Sequence, residues 1–260
     1  MLANKVVLVT GIANGRSIAW NIAKKLYQEK ASIIITYQRP EFKNKIDALI
    51  KDELTSQDSK QLVSTFCCNA IEENDLKELQ TFISSTYGHL DSLFHSIAYS
   101  PSSALHNPLL DISKEDFNTT LSISTYSLLS LTKAMQPLLS PSSSITALSF
   151  LGSTRYFQNY GIMSIAKAAL ESTALQLAGD LGSSGIRVNV IRAAPVNTLA
   201  ARGIPRFLEM KNQFLEKQPL KQKSVVEDVC GTAAWLCSDY SKGITGQVIN
   251  VDGGYSILGI

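Results

Sequence analysis

Near its N-terminus the chain reads Thr10-Gly11-Ile12-Ala13-Asn14-Gly15-Arg16-Ser17-Ile18-Ala19, directly after the apolar run Val6-Val7-Leu8-Val9. A glycine at the end of a strand lets backbone approach a pyrophosphate, and the amides that open the next helix face the anion. The spacing is Gly11-x3-Gly15 rather than G-x-G-x-x-G, and Ser17 follows, whose hydroxyl can donate to a phosphate. Such a turn alone is equally an ordinary strand-to-helix connection. Its place as the first βα turn of an alternating chain favours the nucleotide. The second strand candidate ends Thr36-Tyr37-Gln38-Arg39. At this edge of a dinucleotide fold an acid holds the adenosine ribose diol and an arginine favours a 2′-phosphate. Gln38 serves a free diol; Arg39 suits either a phosphate or open solvent.

The elements that must position these residues alternate along the whole chain. Strands are expected at Lys5–Thr10, Ser32–Tyr37, Gln61–Cys68, Ser92–Ile97, Ser144–Phe150, Ile186–Ile191 and Gln247–Val251. Helical patterns lie between them at Ser17–Glu29, Pro40–Leu54, Glu72–Tyr87, Lys114–Leu139, Tyr160–Leu181 and Val225–Ser238. Strands separated by helices of this length imply βαβ units, right-handed crossovers and a parallel sheet. The fold class is therefore α/β: a doubly wound Rossmann fold with a seven-stranded parallel sheet, one domain over residues 1–260. Two stretches after strand ends are irregular, Ser100–Pro108 and Ala194–Pro219. The second carries Pro195, Gly203, Pro205 and Pro219 with a short amphipathic piece, Phe207–Phe214, and reads as a substrate-binding lid over about 194–219.

Composition narrows the function classes. The 260 residues are 45% hydrophobic and 18% charged, which excludes disordered, collagen-like and coiled-coil chains. A net charge of +2 is too balanced for a nucleic-acid footprint. No apolar run approaches the ~18 residues a membrane span needs, and Val6–Val9 is too short for a signal peptide. Cys67 and Cys68 are adjacent, while Cys230 and Cys237 lie roughly 10 Å apart along a helix axis. Neither pair suits a disulfide, and no metal-binding spacing is present, so free thiols in a reducing cytoplasm are expected.

A tyrosine ahead of a lysine is the working pair of the short-chain dehydrogenase/reductase superfamily. The conventional Tyr-x3-Lys is absent here; Tyr-x6-Lys occurs as Tyr126/Lys133 and as Tyr160/Lys167. Tyr126/Lys133 falls inside a long helix, where a packed tyrosine and a solvated lysine are the simpler reading. Tyr160/Lys167 opens the helix after the fifth strand, and seven residues return to nearly the same helix face, so the lysine stem can reach back toward the tyrosine.

With that pair, five motifs resemble the bacterial enoyl-acyl-carrier-protein (enoyl-ACP) reductases, the divergent branch of the superfamily. They are the Gly11–Ala19 turn, His95-Ser96-Ile97-Ala98-Tyr99, Asn159-Tyr160 with Lys167, Ala194-Pro195-Val196-Asn197-Thr198-Leu199-Ala200, and Val251-Asp252-Gly253-Gly254-Tyr255. They occur in the family's order and span nearly the whole chain. The resemblance implies that NADH is the cofactor, with Gly11, Ser17 and Ile18 on the pyrophosphate and Gln38 on the adenosine ribose. Asn69 and Ala70 would flank adenine, with Asn69 where the family commonly has aspartate. Ile97 and Ala98 would line the ribose and nicotinamide. Val196 and Thr198 would bind the carboxamide, and Asn197, Leu199 and Ala200 would complete the cofactor segment. Tyr99, Ser100, Phe150, Met163, Ile204, Phe207 and Met210 would wall the acyl chain. Tyr160 would donate to the developing enolate oxygen, and Lys167 would bind the nicotinamide ribose and bias the tyrosine.

The same resemblance implies an enoyl thioester on acyl carrier protein as substrate, no metal, and a homotetramer, with the apolar Tyr255–Ile260 tail suited to an interface. Two departures stand out. Ser149-Phe150-Leu151-Gly152 has phenylalanine where the family usually has a second tyrosine. The loop helix holds only Arg206 and Lys211 as nearby cations. The alternatives are a paralogous reductase of enoyl-CoA or carbonyl substrates, favoured by that thin basic loop, and a non-enzymatic dinucleotide sensor, which would tolerate loss of Tyr160 or Lys167.

Overall fold

A computed structural model describes residues 1–54, 61–221 and 226–259. Its seven strands are β1 (Val6–Val9), β2 (Ser32–Tyr37), β3 (Val63–Cys67), β4 (Leu90–His95), β5 (Leu139–Ser149), β6 (Arg187–Ala193) and β7 (Val248–Val251). They form one sheet in the order β3-β2-β1-β4-β5-β6-β7, and every neighbouring pair is parallel. This is the Rossmann-type doubly wound sheet expected from the alternation. The helices are α1 (Ile18–Gln28), α2 (Lys43–Glu53), α3 (Glu73–Tyr87), α4 (Ser102–His106), α5 (Lys114–Leu121), α6 (Ser127–Met135), α7 (Gly161–Gly182), α8 (Phe207–Lys217) and α9 (Val226–Cys237).

Parallel strands covered on both faces should carry consecutive apolar residues rather than alternate, as β1 does throughout and β2 does over Ile33–Ile35. Val7, Val9, Ile33 and Ile35 point into one core with α1 and α9, where Trp20, Ile22 and Val229 meet them. Val6, Leu8 and Ile34 point into the other, with α3, α6 and α7 supplying Leu79, Leu131 and Leu170. The side-chain period of two thus divides one strand between two cores.

Several boundaries shift. β5 starts five residues earlier than expected and β6 ends two later. The expected helix Lys114–Leu139 is interrupted: Ser122–Tyr126 forms a π turn between α5 and α6, and Gln136–Leu138 is 3₁₀. The stretch Ser100–Pro108 contains the single turn of α4, and the lid piece extends to Lys217 as α8. Val225 and Ile260, which the expected last helix and tail include, lie outside the described residues.

The order places β1 beside β4, where the winding reverses, so the crevice above their carboxyl ends is the natural ligand position. Gly11 stands there with φ +83°, and a Cβ on it would lie 2.1 Å from the Ser96 carbonyl oxygen. Only glycine closes this junction.

Candidate active site

A cavity of about 630 Å³ opens along the carboxyl ends of β1, β2, β4, β5 and β6, large enough for a cofactor or drug-sized ligand. At one end lies the Gly11 turn. The Ser17 hydroxyl oxygen accepts from the backbone N–H of Ala13 (3.3 Å) and Asn14 (3.2 Å), which leaves its own proton to donate. Ser17 also caps α1, so the unpaired first amides of that helix face the same space. These groups fit an anion bridging two nucleosides. Gln38 lines the cavity beyond Tyr37, whereas Arg39 does not. Asn69 and Ala70 form the next wall; the Asn69 N–H donates to Asp75 (2.7 Å), and the Ala70 carbonyl accepts from Ser130 (2.5 Å).

At the other end sits Tyr160. Asn159 (φ +65°) and Gly161 (φ +29°) flank it, and this left-handed pair turns the chain sharply before α7 begins. Asparagine and glycine are the residues that tolerate such backbone. Tyr160 is buried, with its ring edge-on to Phe150 at 4.8 Å, and its hydroxyl has no partner among the described residues. Burial, with the Glu171 charge second, pushes the phenol well above its usual range, so it is a proton donor across the neutral range. Lys167 is equally buried and donates to the Leu148 carbonyl at 2.8 Å, leaving two N–H donors for the cavity it lines. That bond runs across to β5 rather than back along α7. Burial lowers the ammonium to about 8, and Glu171 partly opposes the shift.

Beneath this pair, His95 is fully buried with Nε2 2.7 Å from the Ser127 hydroxyl. Ser127 gives its own proton to the Ile123 carbonyl (2.6 Å), so His95 is the donor in that contact. Burial, with the Lys167 charge second, lowers the imidazole to about 3, and it is neutral at physiological pH. Cys68 also lines the cavity, but burial raises its thiol to about 12, which rules out a ready thiolate nucleophile.

The third wall is the segment after β6, where Val196, Thr198, Leu199, Ala200, Ile204, Phe207 and Met210 all face the cavity. Tyr99, Ser100, Phe150 and Met163 join them, as do Ile18, Ile97 and Ala98 nearer the glycine turn. Among the residues picked out from sequence, Asn197 is the exception. It does not line the cavity, and its side-chain oxygen accepts from Arg202 Nε (2.8 Å). Sequence reasoning also passed over the Leu148 carbonyl, Ser149, Glu171 and Arg192. Glu171 could have been noticed as an acid one helical turn after Lys167.

A model of the family described as enoyl-(acyl carrier protein) reductase matches residues 11–256. The chain belongs to that family. It is 38% identical over 261 residues to the NADH-type enoyl-[acyl-carrier-protein] reductase of Aquifex aeolicus, covering 100% of this chain and 94% of that protein. The Escherichia coli relative of the same name is 35% identical, with 98% and 95% covered. A crystal structure of the Aquifex aeolicus reductase superposes with a TM-score of 0.92 at 38% identity, covering 100% of this chain and 99% of that one. An Anaplasma phagocytophilum reductase crystallised with NAD gives 0.91 at 30% identity, with 100% and 94% covered. In this enoyl-ACP reductase the Phe150 ring packs on Phe157 (4.8 Å) and Phe214 (6.4 Å) as well as on Tyr160.

Proposed function

We propose that this enzyme uses NADH to reduce the trans-2 double bond of enoyl thioesters carried on acyl carrier protein, a step of fatty-acid elongation in the cytoplasm. One observation carries the reading: Tyr160, whose hydroxyl has no partner among the described residues, and the buried Lys167 line the same cavity as the anion-suited Gly11–Ser17 turn. Bound NADH supplies the reducing hydride. Gly11, Ser17 and Ile18 hold its pyrophosphate, Gln38 its adenosine ribose, and Asn69 and Ala70 its adenine. Ile97 and Ala98 line the nicotinamide end, and Val196 and Thr198 bind the carboxamide. Lys167 presents its two free N–H donors to the nicotinamide ribose. Negative charge that builds on the thioester oxygen would be met by the Tyr160 O–H. Tyr99, Ser100, Phe150, Met163, Ile204, Phe207 and Met210 receive the acyl chain.

The cofactor half is tested by kcat/KM with both nucleotides. NADH is expected to be preferred, because Gln38 faces the cavity and Arg39 lies outside its lining. A preference for NADPH overturns the assignment. Comparison of ACP and CoA thioesters in the same assay addresses the carrier. A CoA thioester is the second reading, favoured because Arg206 is ion-paired with Glu209 at 2.6 Å rather than free for an acidic partner.

Residues 194–219 act as a lid in this reading. Proteolysis near the exposed Arg202 or Arg206 is expected in the free protein and is suppressed by NADH with a substrate analogue. Equal cleavage with both ligands saturating counts against it. A homotetramer is supported by exposed apolar side chains on neighbouring helices, Tyr126 in the π turn, Leu129 on α6 and Leu175 on α7. Sedimentation as a monomer at micromolar concentration excludes that assembly.

Phe150→Tyr restores the hydroxyl the family usually carries. A neutral accessory hydrogen bond is worth about 0.5–1.5 kcal/mol. The variant is therefore expected to change kcat/KM on a short enoyl thioester by no more than about tenfold. A gain of roughly a thousandfold, or about 4 kcal/mol of barrier, shows that Phe150 disables the site and points to a different substrate.

A further inference from the structure

α7 packs against the sheet with an apolar face of Ile162, Met163, Ala166, Leu170 and Ala174, and two charged residues, Lys167 and Glu171, are buried among them. Glu171 is the anchor of a closed polar network. Its Oε1 accepts from Arg192 Nε (2.8 Å) and from the Ser149 hydroxyl (2.6 Å), and its Oε2 accepts from Arg192 Nη2 (2.5 Å). Ser149 and Arg192 stand directly opposite each other in the β5–β6 register, so both side chains leave the same face of the sheet beneath α7. The residue before Ser149 is Leu148, and its carbonyl holds Lys167. On the opposite side, Thr125 of the π turn donates to the carbonyl of Ala166, which fixes the backbone one residue before the lysine.

We propose that Glu171, clamped by Arg192 and Ser149, is a positioning residue for Lys167: it fixes the β5 end that offers the Leu148 carbonyl, and its charge keeps the buried lysine cationic. This rests on the role assigned to Lys167 above. A carboxylate one helical turn away favours the ammonium, and a guanidinium bound to that carboxylate moderates the effect. The two partners therefore act on Lys167 with opposite sign. Burial pulls the lysine toward its neutral form, and the Glu171 charge opposes that pull.

The other ionisable groups on the elements around α7 do not offset this. His95 of β4 is neutral, and Tyr160 is held in its protonated form. His106 of α4, Lys114 and Glu115 of α5 and Lys133 of α6 are exposed, as is Tyr126 of the π turn. Asp116 of α5 accepts from Ser103, and Arg187 at the far end of β6 donates to the Leu236 carbonyl. Asp180 lies three turns further along α7 on its exposed side.

The test titrates Lys167 directly in the cofactor-free protein, from the Cε resonance of isotopically labelled lysine, assigned by its loss in Lys167→Met. Glu171→Gln is expected to move the midpoint down by about one pH unit, and Arg192→Met to move it up by a similar amount. The double variant Glu171→Gln/Arg192→Met, expected between the two, keeps the test available if Arg192 left without its counter-charge prevents folding of the first variant. Coincident midpoints, or both single variants moving in one direction, overturn the proposal. Dissociation constants for NADH across the same pH range separate it from the function itself. Affinity that tracks each variant's Lys167 midpoint supports both. Midpoints that move as expected while NADH affinity does not follow leave Glu171 in its role and remove Lys167 from the cofactor.

Discussion

Tyr160→Phe is expected to lower kcat by a factor of roughly a hundred to a thousand, the loss of one oxyanion donor at about 3–4 kcal/mol, while leaving the NADH dissociation constant nearly unchanged. The ring stays, so its edge contact with Phe150 and its burial are preserved. What is removed is a hydroxyl without a partner among the described residues, so none of them is left with an unpaired group by the change. Lys167→Ala is expected to behave differently. It abandons the Leu148 carbonyl and two donors that face the cavity, so NADH binding weakens together with kcat. The measurement is steady-state kinetics on one enoyl thioester, with NADH affinity from fluorescence. Small, equal effects at both positions would favour a dinucleotide-binding protein without this chemistry.

The second large effect is expected at Gly11. An alanine there is strained twice, by a φ of +83° and by a Cβ placed 2.1 Å from the Ser96 carbonyl oxygen. Left-handed backbone costs a non-glycine residue about 1–2 kcal/mol, and overpacking against a fixed neighbour about 1–3 kcal/mol more. Together these predict a destabilisation of about 2–5 kcal/mol, a Tm lower by roughly 4–20 °C for a chain of this size. NADH affinity is lost with it, because moving the β1–β4 junction apart displaces the amides that open α1. Gly88→Ala is the control: its φ is +77°, but nothing lies within 4 Å of the added carbon. It should carry the backbone cost alone. Equal Tm losses at the two positions would show that the contact with Ser96 is not what requires glycine.

The strands were readable in the sequence because a parallel sheet buried on both faces leaves consecutive apolar residues, as in Val6–Val9 and Ile33–Ile35, and the spacing of helices between them dictates the winding. The glycine turn was readable because backbone geometry demands that residue. Tyr160 and Lys167 were found by combining spacing with position in the fold, since spacing alone offered Tyr126 and Lys133 equally. The π turn was not readable: the weak helix formers of Ser122–Tyr126 do not by themselves call for an extra residue, which is set by what the turn must meet, Thr125 on Ala166 and Ser124 on Tyr99. Arg192 was hidden for a related reason. Within Arg187–Ala193 it looks like an intrusion into a core strand, and it becomes intelligible only when the register brings Ser149 opposite and α7 lays Glu171 across both. Asn197 shares the motif yet stands outside the cavity lining, because a segment's membership in a motif does not say which side chains turn inward.

The aromatic cluster around Phe150 has a consequence for how the molecule comes into being. Phe214 of α8 stacks on Tyr255 at 3.9 Å, and Phe157 bridges Tyr255 at 6.2 Å and Phe150 at 4.8 Å. Tyr255 lies 41 residues from Phe214 and 98 from Phe157 along the chain, so its contacts carry a loop-closure cost that local helices do not. During synthesis β1 to β4 can pair and the glycine turn can form long before Tyr255 leaves the ribosome. The nucleotide end of the cavity can thus form early in translation. The end that holds Tyr160 is walled by the segment after β6, from Val196 to Met210, which emerges much later, and a chain halted before it would carry a formed glycine turn beside an open cavity.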